Sequence, residues 1–483
     1  MVIDALKYQI LQQFGFVPTE EQGQALDAFA RFLTDRDPHA VMILRGSAGT
    51  GKTSLSGAIV RTLKAIRQKV MLLAPTGRAA KVFSLNSGCP AYTIHRRIYR
   101  EKSFAGVDGQ FNLNDNLFTD TLFMVDEASM ISNLGLGGGN FGSGCLLDDL
   151  VRFVYQGHND RLMLIGDKAQ LPPVGEEESP ALNRMMLEGY GLKVYECDLN
   201  EVLRQSQESG ILYNATVIRQ MITHDDITQL PLIRFKGFAD IVMMPGNELV
   251  ESLANSYYRV GQDETMVITR SNKRANIYNN GIRNMVLDRE DELSCGDMLM
   301  IVKNNYFWTE KERNEAKEAL NAIPPFLANG DRAKVLRVSR HMELYGFRFA
   351  TLLLQFPDYD NYEMSVTALL DTLQSEAPAL THEQQEQLFH GVEEDYQDVS
   401  LKADRMKAIR GDQYFNALQV KYAYAITCHK AQGGQWEHVY VDQGYMTDDM
   451  LTPDYIHWLY TAFTRAKDKL FLVNWPKTQT EQA

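Results

Sequence analysis

The feature that most constrains the fold is a series of short apolar runs, each followed at once by small or polar residues. In the first part of the chain these runs occupy residues 40–44, 70–73, 122–125 and 162–165, with helical patterns such as residues 54–67 between them. Runs of this length are typical of buried parallel strands joined by crossover helices. Because ligands bind beyond the carboxyl ends of such strands, the polar residues that end the runs are candidates for a functional site.

A second series of apolar runs lies at residues 266–269, 422–427 and 470–473. We therefore predict an α/β fold of two parallel-sheet lobes that divide near residues 196–200. Between residues 295 and 418 the pattern changes to isolated strands and to helices rich in Asp, Glu and Gln, which indicates an insertion in the second lobe. The predicted bounds are 1–100 and 120–198 for the first lobe, 101–119 for a small insertion, 199–294 and 419–483 for the second lobe, and 295–418 for the larger insertion.

Composition places the chain among globular proteins. A length of 483 residues suggests about three folded units, and 45% hydrophobic with 23% charged residues exclude wholesale disorder. There is no apolar run of about 18 residues and no basic start followed by an apolar stretch, so we expect neither a membrane span nor a secretory signal. The closest two of the five cysteines are 52 residues apart. That spacing fits neither a zinc site nor a disulfide framework, so we expect a reducing, cytoplasmic location.

The charge is unevenly distributed along the chain. The net charge of −13 by itself argues against nucleic-acid binding, because phosphate neutralisation needs Lys and Arg. Residues 1–100, however, carry a local charge of +8, and residues 351–415 carry −9. A solvated surface is the ordinary explanation for an acidic stretch of this kind. The acidity therefore limits how a polyanion is held and does not exclude one.

The run at residues 40–44 leads into a glycine-rich phosphate-binding motif, G-x-x-x-x-G-K-T. Its glycines let backbone N–H groups surround phosphates, and the following helix adds the positive end of its dipole. The lysine would contact the β- and γ-phosphates and the threonine hydroxyl would bind Mg²⁺. We therefore predict binding of ATP with Mg²⁺ by the residues of this motif: Gly46, Ser47, Ala48, Gly49, Thr50, Gly51, Lys52 and Thr53.

Further polar residues follow the other strands. Asp126 would provide a second Mg²⁺ contact, and the adjacent Glu127 would orient or deprotonate the water that attacks the γ-phosphate. Gln170, after the next strand, would report whether the γ-phosphate is present. Gln22 has two open interpretations: it closes a capping box with Thr19 at a helix start, or its amide contacts the adenine edge. Both hold if the cap faces the nucleotide.

The complete series of motifs resembles the superfamily 1 helicases of the RecD/Dda/Pif type, which move 5′→3′ on single-stranded DNA. The resemblance spans the whole chain, and its most specific members are APTGRAAK, GDKAQLPPVG and the HKAQG and TRA motifs. In chain order the matching segments are PTEEQ, GSAGTGKT, APTGRAAK, TIH, VDEAS, LIGDKAQLPPVG, VLRQ, YAITCHKAQGG and LYTAFTRAK.

The resemblance implies two RecA-like lobes and assigns further roles. Arg204 and Arg465 would be arginine fingers of the second lobe that reach the γ-phosphate when the lobes close. The larger insertion would hold an SH3-like domain with added helices, and the smaller one a hairpin pin that separates the strands, with Phe104, Val107 and Phe111. The residues implied in DNA contacts are Pro75, Thr76, Lys81, His95, Thr427, His429 and Lys430.

The predicted function is that of an ATP-dependent DNA helicase, coupled to ATP hydrolysis between the lobes and active in DNA replication, repair or recombination. The expected partners are single-stranded DNA and junctions of single- and double-stranded DNA, with a monomeric chain and no membrane. One departure from the family pattern affects the site: Gln435 replaces a glutamate, and a glutamine cannot accept from a ribose hydroxyl as a carboxylate does. An RNA-directed motor and a nucleotide-gated P-loop binding protein that does not unwind are the alternatives.

Overall fold

The structure is a computed structural model that describes residues 2–101, 111–135, 142–202, 208–224, 228–315, 323–324 and 326–481. Three residues of the predicted sites, Phe104, Val107 and Arg204, lie outside these ranges.

The first lobe is built around a parallel sheet. Within the described residues the sheet has six strands in the order β3-β2-β6-β7-β1-β8, and each neighbouring pair is parallel. Strands β1, β6 and β7 are buried along their whole length, as expected for strands covered on both faces. The strands are β1 (Ala40–Gly46), β2 (Lys69–Ala74), β3 (Ala91–Thr93), β6 (Thr121–Val125), β7 (Arg161–Gly166) and β8 (Lys193–Leu199), and a small antiparallel pair is β4 (Tyr99–Glu101) with β5 (Phe111–Leu113).

Helices cover both faces of this sheet. Two separate apolar clusters lie on its two sides, one with Leu26, Phe29 and Leu55 and the other with Ile94, Leu150 and Phe153. The helices are α1 (Val2–Phe14), α2 (Glu20–Thr34), α3 (Lys52–Ala65), α4 (Gly77–Ser87), α5 (Ile94–Ile98), α6 (Leu146–Gln156) and α7 (Arg184–Gly189).

The second lobe contains another parallel sheet, with the described strands in the order β16-β10-β17-β18-β9. The expectation of an α/β fold with two parallel-sheet lobes is therefore confirmed. The strands are β9 (Ile241–Met244), β10 (Thr265–Thr269), β16 (Ala425–Thr427), β17 (Trp436–Asp442) and β18 (Ala466–Val473), and the helices are α8 (Gly210–Thr223), α9 (Leu249–Arg259), α10 (Asn272–Gly281), α14 (Cys428–Ala431) and α15 (Pro453–Phe463).

A closed barrel interrupts the second lobe. Its strand order is β11-β12-β13-β14-β15, with β14 and β15 parallel and the other described pairs antiparallel. The barrel and the second sheet share one continuous apolar cluster, so the two units pack as one body. Its strands are β11 (Met298–Ile301), β12 (Arg332–Leu344), β13 (Phe347–Phe356), β14 (Tyr362–Leu369) and β15 (Leu418–Tyr422), and the associated helices are α11 (Phe307–Glu315), α12 (His382–Asp395) and α13 (Lys402–Arg410).

The predicted single strand at residues 422–427 is wrong. Tyr422 ends barrel strand β15, and the sheet strand β16 begins only at Ala425. Between them the Tyr424 hydroxyl donates to Asp297 at 2.8 Å, and the backbone N–H groups of Tyr424 and Ala425 donate to the Asn279 side chain. These buried polar contacts redirect the chain from the barrel to the sheet, although the sequence there is continuously apolar.

Two further observations concern expectations from composition. Among the described residues, no helix is long and apolar enough to cross a membrane. All five cysteines lie in the described part of the chain, and each is a free thiol.

Candidate active site

The glycine-rich motif forms the turn between β1 and α3. Gly49 and Gly51 have φ values of 78° and 80°, in the left-handed region that residues with a side chain rarely adopt. A Cβ atom on Gly46 would lie 2.8 Å from Lys52 Cγ, so the loop closes tightly over its own lysine. The loop leads directly into α3, and the first N–H groups of a helix have no partner within the helix. The loop and the helix start together have the geometry of a phosphate site.

Lys52 lies across the mouth of this loop. Its Nζ donates to the carbonyl oxygens of Gly46 and Ser47. A flexible ammonium group in this place reaches a phosphate held by the loop through a small rotation of the side chain.

Gln22 performs the capping role and also contacts the phosphate loop. The Thr19 side chain accepts from the Gln22 N–H, and the Gln22 side chain accepts from the Thr19 N–H at 3.0 Å, which is a complete capping box. The Gln22 Nε2 donates to the carbonyl oxygen of Thr50 at 2.9 Å, and the side chain is buried. The helix cap thus faces the loop, so the two interpretations of this residue are compatible.

Asp126 and Glu127 follow β6 on the same edge of the sheet. The Asp126 N–H donates to the carbonyl of Leu73, and its carboxylate accepts from the Glu127 N–H at 2.9 Å. Desolvation, together with the charge of Glu127, raises the pKa of Asp126, while Lys52 opposes the shift. Glu127 has φ 51°, a left-handed conformation that is uncommon for glutamate.

The phosphate loop and the acidic pair line a cavity of about 400 Å³ between the two lobes, whereas Gln22, Gly46 and Thr50 are not among its lining residues. The first lobe provides the loop, α3 and the acidic pair, and the second lobe provides residues of α8, the segment before β17 and the end of α15. The predicted residues that line it are Ser47, Ala48, Gly49, Gly51, Lys52, Thr53, Asp126, Glu127, Gln170 and Arg465.

The donors in this cavity suit Mg²⁺. Thr53 and Asp126 offer a hydroxyl and a carboxylate, which are hard oxygen ligands, to the same space. In the part of the chain that the structure describes, no three His, Cys, Asp or Glu side chains form a metal-binding group. Thr53 and Asp126 are the residues that would hold a magnesium ion in this cavity, and this ion commonly keeps phosphate oxygens and water as further ligands.

Gln170 has an unpaired amide oxygen at the cavity. The side chain is buried, and among the described residues its Oε1 has no hydrogen-bond partner. A buried polar atom without a partner is costly. The oxygen can therefore accept a hydrogen bond from a donor that enters the cavity.

Arg465 lies at the end of α15 and is 2% exposed. Its guanidinium donates to the carbonyl oxygens of Thr461 and Gly434 and to the Thr464 hydroxyl, at 3.0–3.1 Å. These partners all belong to the second lobe, so the arginine moves with that lobe.

Several side chains that no sequence motif revealed join the lobes beside the cavity. The Tyr460 hydroxyl accepts from the N–H of Ala48 at 2.9 Å and donates to Asp167 at 2.7 Å. From α8, the Arg219 guanidinium donates to the Ser47 hydroxyl. The Gln432 amide donates to the carbonyl of Leu171 at 2.7 Å. Tyr460 is close in the sequence to Arg465, and this proximity could have marked it as a candidate site residue. No comparable feature of the sequence marks Arg219.

Six of the seven residues assigned to DNA contacts lie on a second surface, where α4, α14 and the barrel meet. We call Pro75, Thr76, Lys81, Thr427, His429 and Lys430 the strand face. Thr76 is the N-cap of α4 and accepts from the Ala79 N–H. A Cβ on Gly433 would lie 3.0 Å from the Thr76 hydroxyl, so the two lobes approach closely here.

Both lysines of the strand face contact the barrel. Lys81 donates to the carbonyl of Pro357 at 2.6 Å and lies 3.6 Å from the Asp358 carboxylate. Lys430 donates to the Asn329 side chain, and desolvation and the charge of Lys421 lower the pKa of Lys430 to about 8. The side chain of His429 is exposed at the surface.

His95 lies apart from the strand face, on α5. Its ring packs against Tyr99 with a centroid distance of 5.7 Å, and desolvation lowers its pKa to about 4. The histidine is therefore neutral near pH 7. Phe111, the one pin residue in a described strand, begins β5, which pairs with β4 at the base of the small insertion.

Two lobes with parallel sheets and a phosphate loop in the cleft define a two-lobed P-loop protein. Two family models match the chain in the same order: an AAA domain over residues 19–227 and a UvrD-like helicase C-terminal domain over residues 422–473. This pair of matches agrees with the resemblance to the superfamily 1 helicases of the RecD/Pif type. The family resemblance of the sequence is thereby confirmed.

Individual relatives match parts of the chain. An uncharacterised protein of Methanocaldococcus jannaschii is 33% identical over 171 residues, which are 33% of this chain and 14% of that protein. The ATP-dependent RecD2 DNA helicase of Deinococcus radiodurans is 31% identical over 157 residues, or 32% of this chain and 18% of that protein. The chain thus spans a small part of the length of these two relatives. A crystal structure of the Pif1 helicase from Bacteroides with ADP-AlF3 and single-stranded DNA is 14% identical, with 97% of this chain and 95% of that chain covered and a TM-score of 0.47.

Proposed function

We propose that the protein is an ATP-dependent DNA helicase that moves 5′→3′ along single-stranded DNA and unwinds duplexes. The observation that carries the proposal is the cavity between the lobes, where the phosphate loop, the acidic pair and Arg465 face one another. A site divided in this way makes nucleotide chemistry depend on the relative position of the lobes, which is what a motor requires.

In the proposed reaction Lys52 and the backbone of the phosphate loop hold the β- and γ-phosphates. Thr53 and Asp126 hold Mg²⁺, which when bound neutralises charge on the phosphate oxygens. Glu127 orients the attacking water and accepts its proton. Arg465 stabilises the charge that develops in the transition state, and Arg204 is proposed as a second finger from the same lobe. Gln170 contacts the γ-phosphate through its amide N–H group, since its amide oxygen and the phosphate oxygens are both acceptors, and Gln22 contacts the adenine.

DNA is proposed to cross both lobes along the strand face. Proline and threonine at the start of α4 and the residues of α14 belong to different lobes, so closure of the cleft changes the distance between the two grips on the strand. Alternating affinity at the two grips then gives directed steps. His95, on α5 and apart from the strand face, is proposed as a further DNA contact that stacks or hydrogen-bonds as a neutral ring.

The division into units is also a proposal. We assign residues 1–100 and 120–198 to the first lobe, 199–294 and 419–483 to the second, and 295–418 to an inserted domain of SH3-like and helical parts. Residues 101–119 would form the pin, with Phe104, Val107 and Phe111 at the point where the strands separate. Junctions of single- and double-stranded DNA are the substrates that such a pin implies, and a monomer suffices for the reaction.

The first test measures ATP hydrolysis without polymer, with single-stranded DNA and with RNA. We expect stimulation by DNA and loss of turnover in Lys52→Ala, with the protein still folded by circular dichroism. Lys64→Ala is the matched control, because Lys64 is an exposed lysine of the same helix α3. Full turnover in Lys52→Ala would contradict the site assignment. Stimulation by RNA alone would favour an RNA-directed motor.

The second test measures strand displacement on duplexes with a 5′ or a 3′ single-stranded tail. We expect unwinding of the 5′-tailed duplex. A preference for the 3′ tail would overturn the direction. ATP-dependent DNA binding without displacement of either duplex would instead favour a nucleotide-gated binding protein.

A further inference from the structure

A buried tyrosine of the second lobe links the phosphate loop of the first lobe to the segment after β7. The Tyr460 hydroxyl accepts a hydrogen bond from the Ala48 N–H at 2.9 Å and donates one to Asp167 Oδ2 at 2.7 Å. Tyr460 is 1% exposed and Asp167 is 4% exposed, so water does not compete for either bond. Desolvation and the Asp167 charge hold the pKa of Tyr460 well above its ordinary value, so the group is a neutral hydroxyl.

Both partners of the hydroxyl belong to the nucleotide cavity. Ala48 is part of the phosphate loop, and Asp167 lines the same space. The second carboxylate oxygen of Asp167 accepts from the N–H of Ala169, which fixes the turn that ends in Gln170. A shift of the hydroxyl would therefore disturb the loop and the turn together.

The same face of α15 makes further contacts with this turn. The His457 Nδ1 donates to the carbonyl of Ala169 at 2.9 Å, and the Thr461 hydroxyl accepts from the N–H of Leu171 at 2.8 Å. Residues three and four positions apart share one face of a helix, so His457, Tyr460 and Thr461 act as one surface. Arg465 lies one turn further along, with its guanidinium bonded to the carbonyl of Thr461. The helix thus joins the phosphate loop to Arg465 through a rigid element.

We propose that Tyr460 is a positioning residue for ATP turnover, which holds the phosphate loop and the Asp167–Gln170 turn in register with Arg465. The inference rests on the proposed function and extends it to a residue that does not touch the nucleotide. Its consequence is specific: loss of the hydroxyl lowers the rate of hydrolysis more than it weakens nucleotide binding, because most loop N–H groups and Lys52 stay in place.

The test replaces Tyr460 by phenylalanine, which removes only the hydroxyl. Tyr440→Phe is the matched control, because Tyr440 is equally buried in the second lobe and its hydroxyl also has two partners, Ser252 and Ser256, both at 2.7 Å. For Tyr460→Phe we expect kcat to fall about tenfold with the ADP dissociation constant changed less than about threefold, since a hydrogen bond to a charged group is lost away from the ligand. For Tyr440→Phe we expect kcat within about twofold of the parent.

A second variant tests the route through Asp167. If the hydroxyl acts through this carboxylate, the double variant Tyr460→Phe/Asp167→Asn loses no more activity than the more damaged single variant, because coupled residues are not additive. If the activity loss of the double variant equals the product of the two single-variant losses, the proposal is overturned. A kcat for Tyr460→Phe within twofold of that for Tyr440→Phe would also overturn it. A rise in the ADP dissociation constant as large as the fall in kcat would also overturn it.

The proposed function is tested separately from the role of Tyr460. Lys52→Ala, measured in the same assay, decides whether the phosphate loop drives turnover. An inactive Lys52→Ala with a fully active Tyr460→Phe would leave the proposed function intact and remove only the role of the tyrosine.

Discussion

The nucleotide cavity and the strand face differ in what their charged groups contact. In the cavity, Lys52 donates hydrogen bonds to carbonyl oxygens of its own loop and forms no ion pair with a carboxylate of the described residues. On the strand face, Lys81 already faces the Asp358 carboxylate and Lys430 the Asn329 amide, both on the barrel. The first surface is open to an incoming phosphate, and on the second a phosphate must replace a contact within the protein.

The difference follows from how each surface is encoded. The phosphate loop is a single segment of eight residues whose backbone does most of the binding. The strand face combines residues at α4 of the first lobe with residues at α14 of the second lobe, and it borders barrel loops; these segments are far apart in the sequence. We infer that substitutions in the cavity change the rate of ATP hydrolysis. Substitutions on the strand face change the affinity for DNA, because DNA and the barrel compete for the same lysines.

The largest expected effect is in the cavity. Glu127→Gln removes the carboxylate that accepts the proton of water, and we expect turnover to fall at least about 100-fold, the usual loss for a general base. Steady-state ATP hydrolysis with saturating single-stranded DNA provides the measurement. Glu177→Gln, at an exposed position of the same lobe, serves as the control. Retained turnover in Glu127→Gln would show that Glu127 is not the general base of the reaction.

An intermediate effect is expected on the strand face, with opposite signs for the two partners of one ion pair. Lys81→Ala should weaken single-stranded DNA binding about three- to tenfold and reduce the salt slope by about one, since one phosphate contact is lost. Asp358→Asn should strengthen binding by about twofold or threefold, because a surface ion pair that competes with DNA is worth about 0.2–1 kcal/mol.

Fluorescence anisotropy of a labelled oligonucleotide at several salt concentrations measures both variants. Unchanged or weaker binding by Asp358→Asn would show that the barrel contact does not compete with DNA. The strand face and the cavity would then respond to mutation in the same way.

The smallest effect concerns pH at the contact between the barrel and the first lobe. Asp331 is 2% exposed and accepts a hydrogen bond from the Tyr359 hydroxyl. Its carboxylate packs closely against α4, since a Cβ atom on Gly77 would lie 2.6 Å from it. Desolvation raises its pKa to about 7. Between the ordinary carboxyl pKa of about 4 and pH 7 the folded protein holds a proton that the unfolded chain has lost, so the free energy of unfolding falls as pH rises through this range.

Urea unfolding at pH 5.5, 6.5 and 7.5 measures this dependence. Asp331→Asn cannot ionise, and we expect its unfolding free energy to fall less over the same range than that of the parent. Equal slopes for the two proteins would contradict the assignment of the titration to Asp331.

Much of the fold could be predicted because apolar runs and glycine positions are local properties. The runs before the phosphate loop, Asp126 and Gly166 became β1, β6 and β7, since a fully buried parallel strand needs only a short apolar stretch. The shorter or more polar strands β3 and β8 were missed. Residues 422–427 were assigned to one strand because an apolar run does not reveal which sheet its two halves join.

The sequence by itself determined the phosphate loop, the acidic pair after β6 and the order of the two lobes, because these depend on backbone geometry and periodicity within a few residues. Only the tertiary structure decided that Gln22 caps its helix while it contacts the loop, that the barrel contacts Lys81 and Lys430, and that Tyr460 joins Ala48 to Asp167. Ala48 and Tyr460 are separated by 412 positions, and a hydrogen bond between them exists only after both lobes have folded and met.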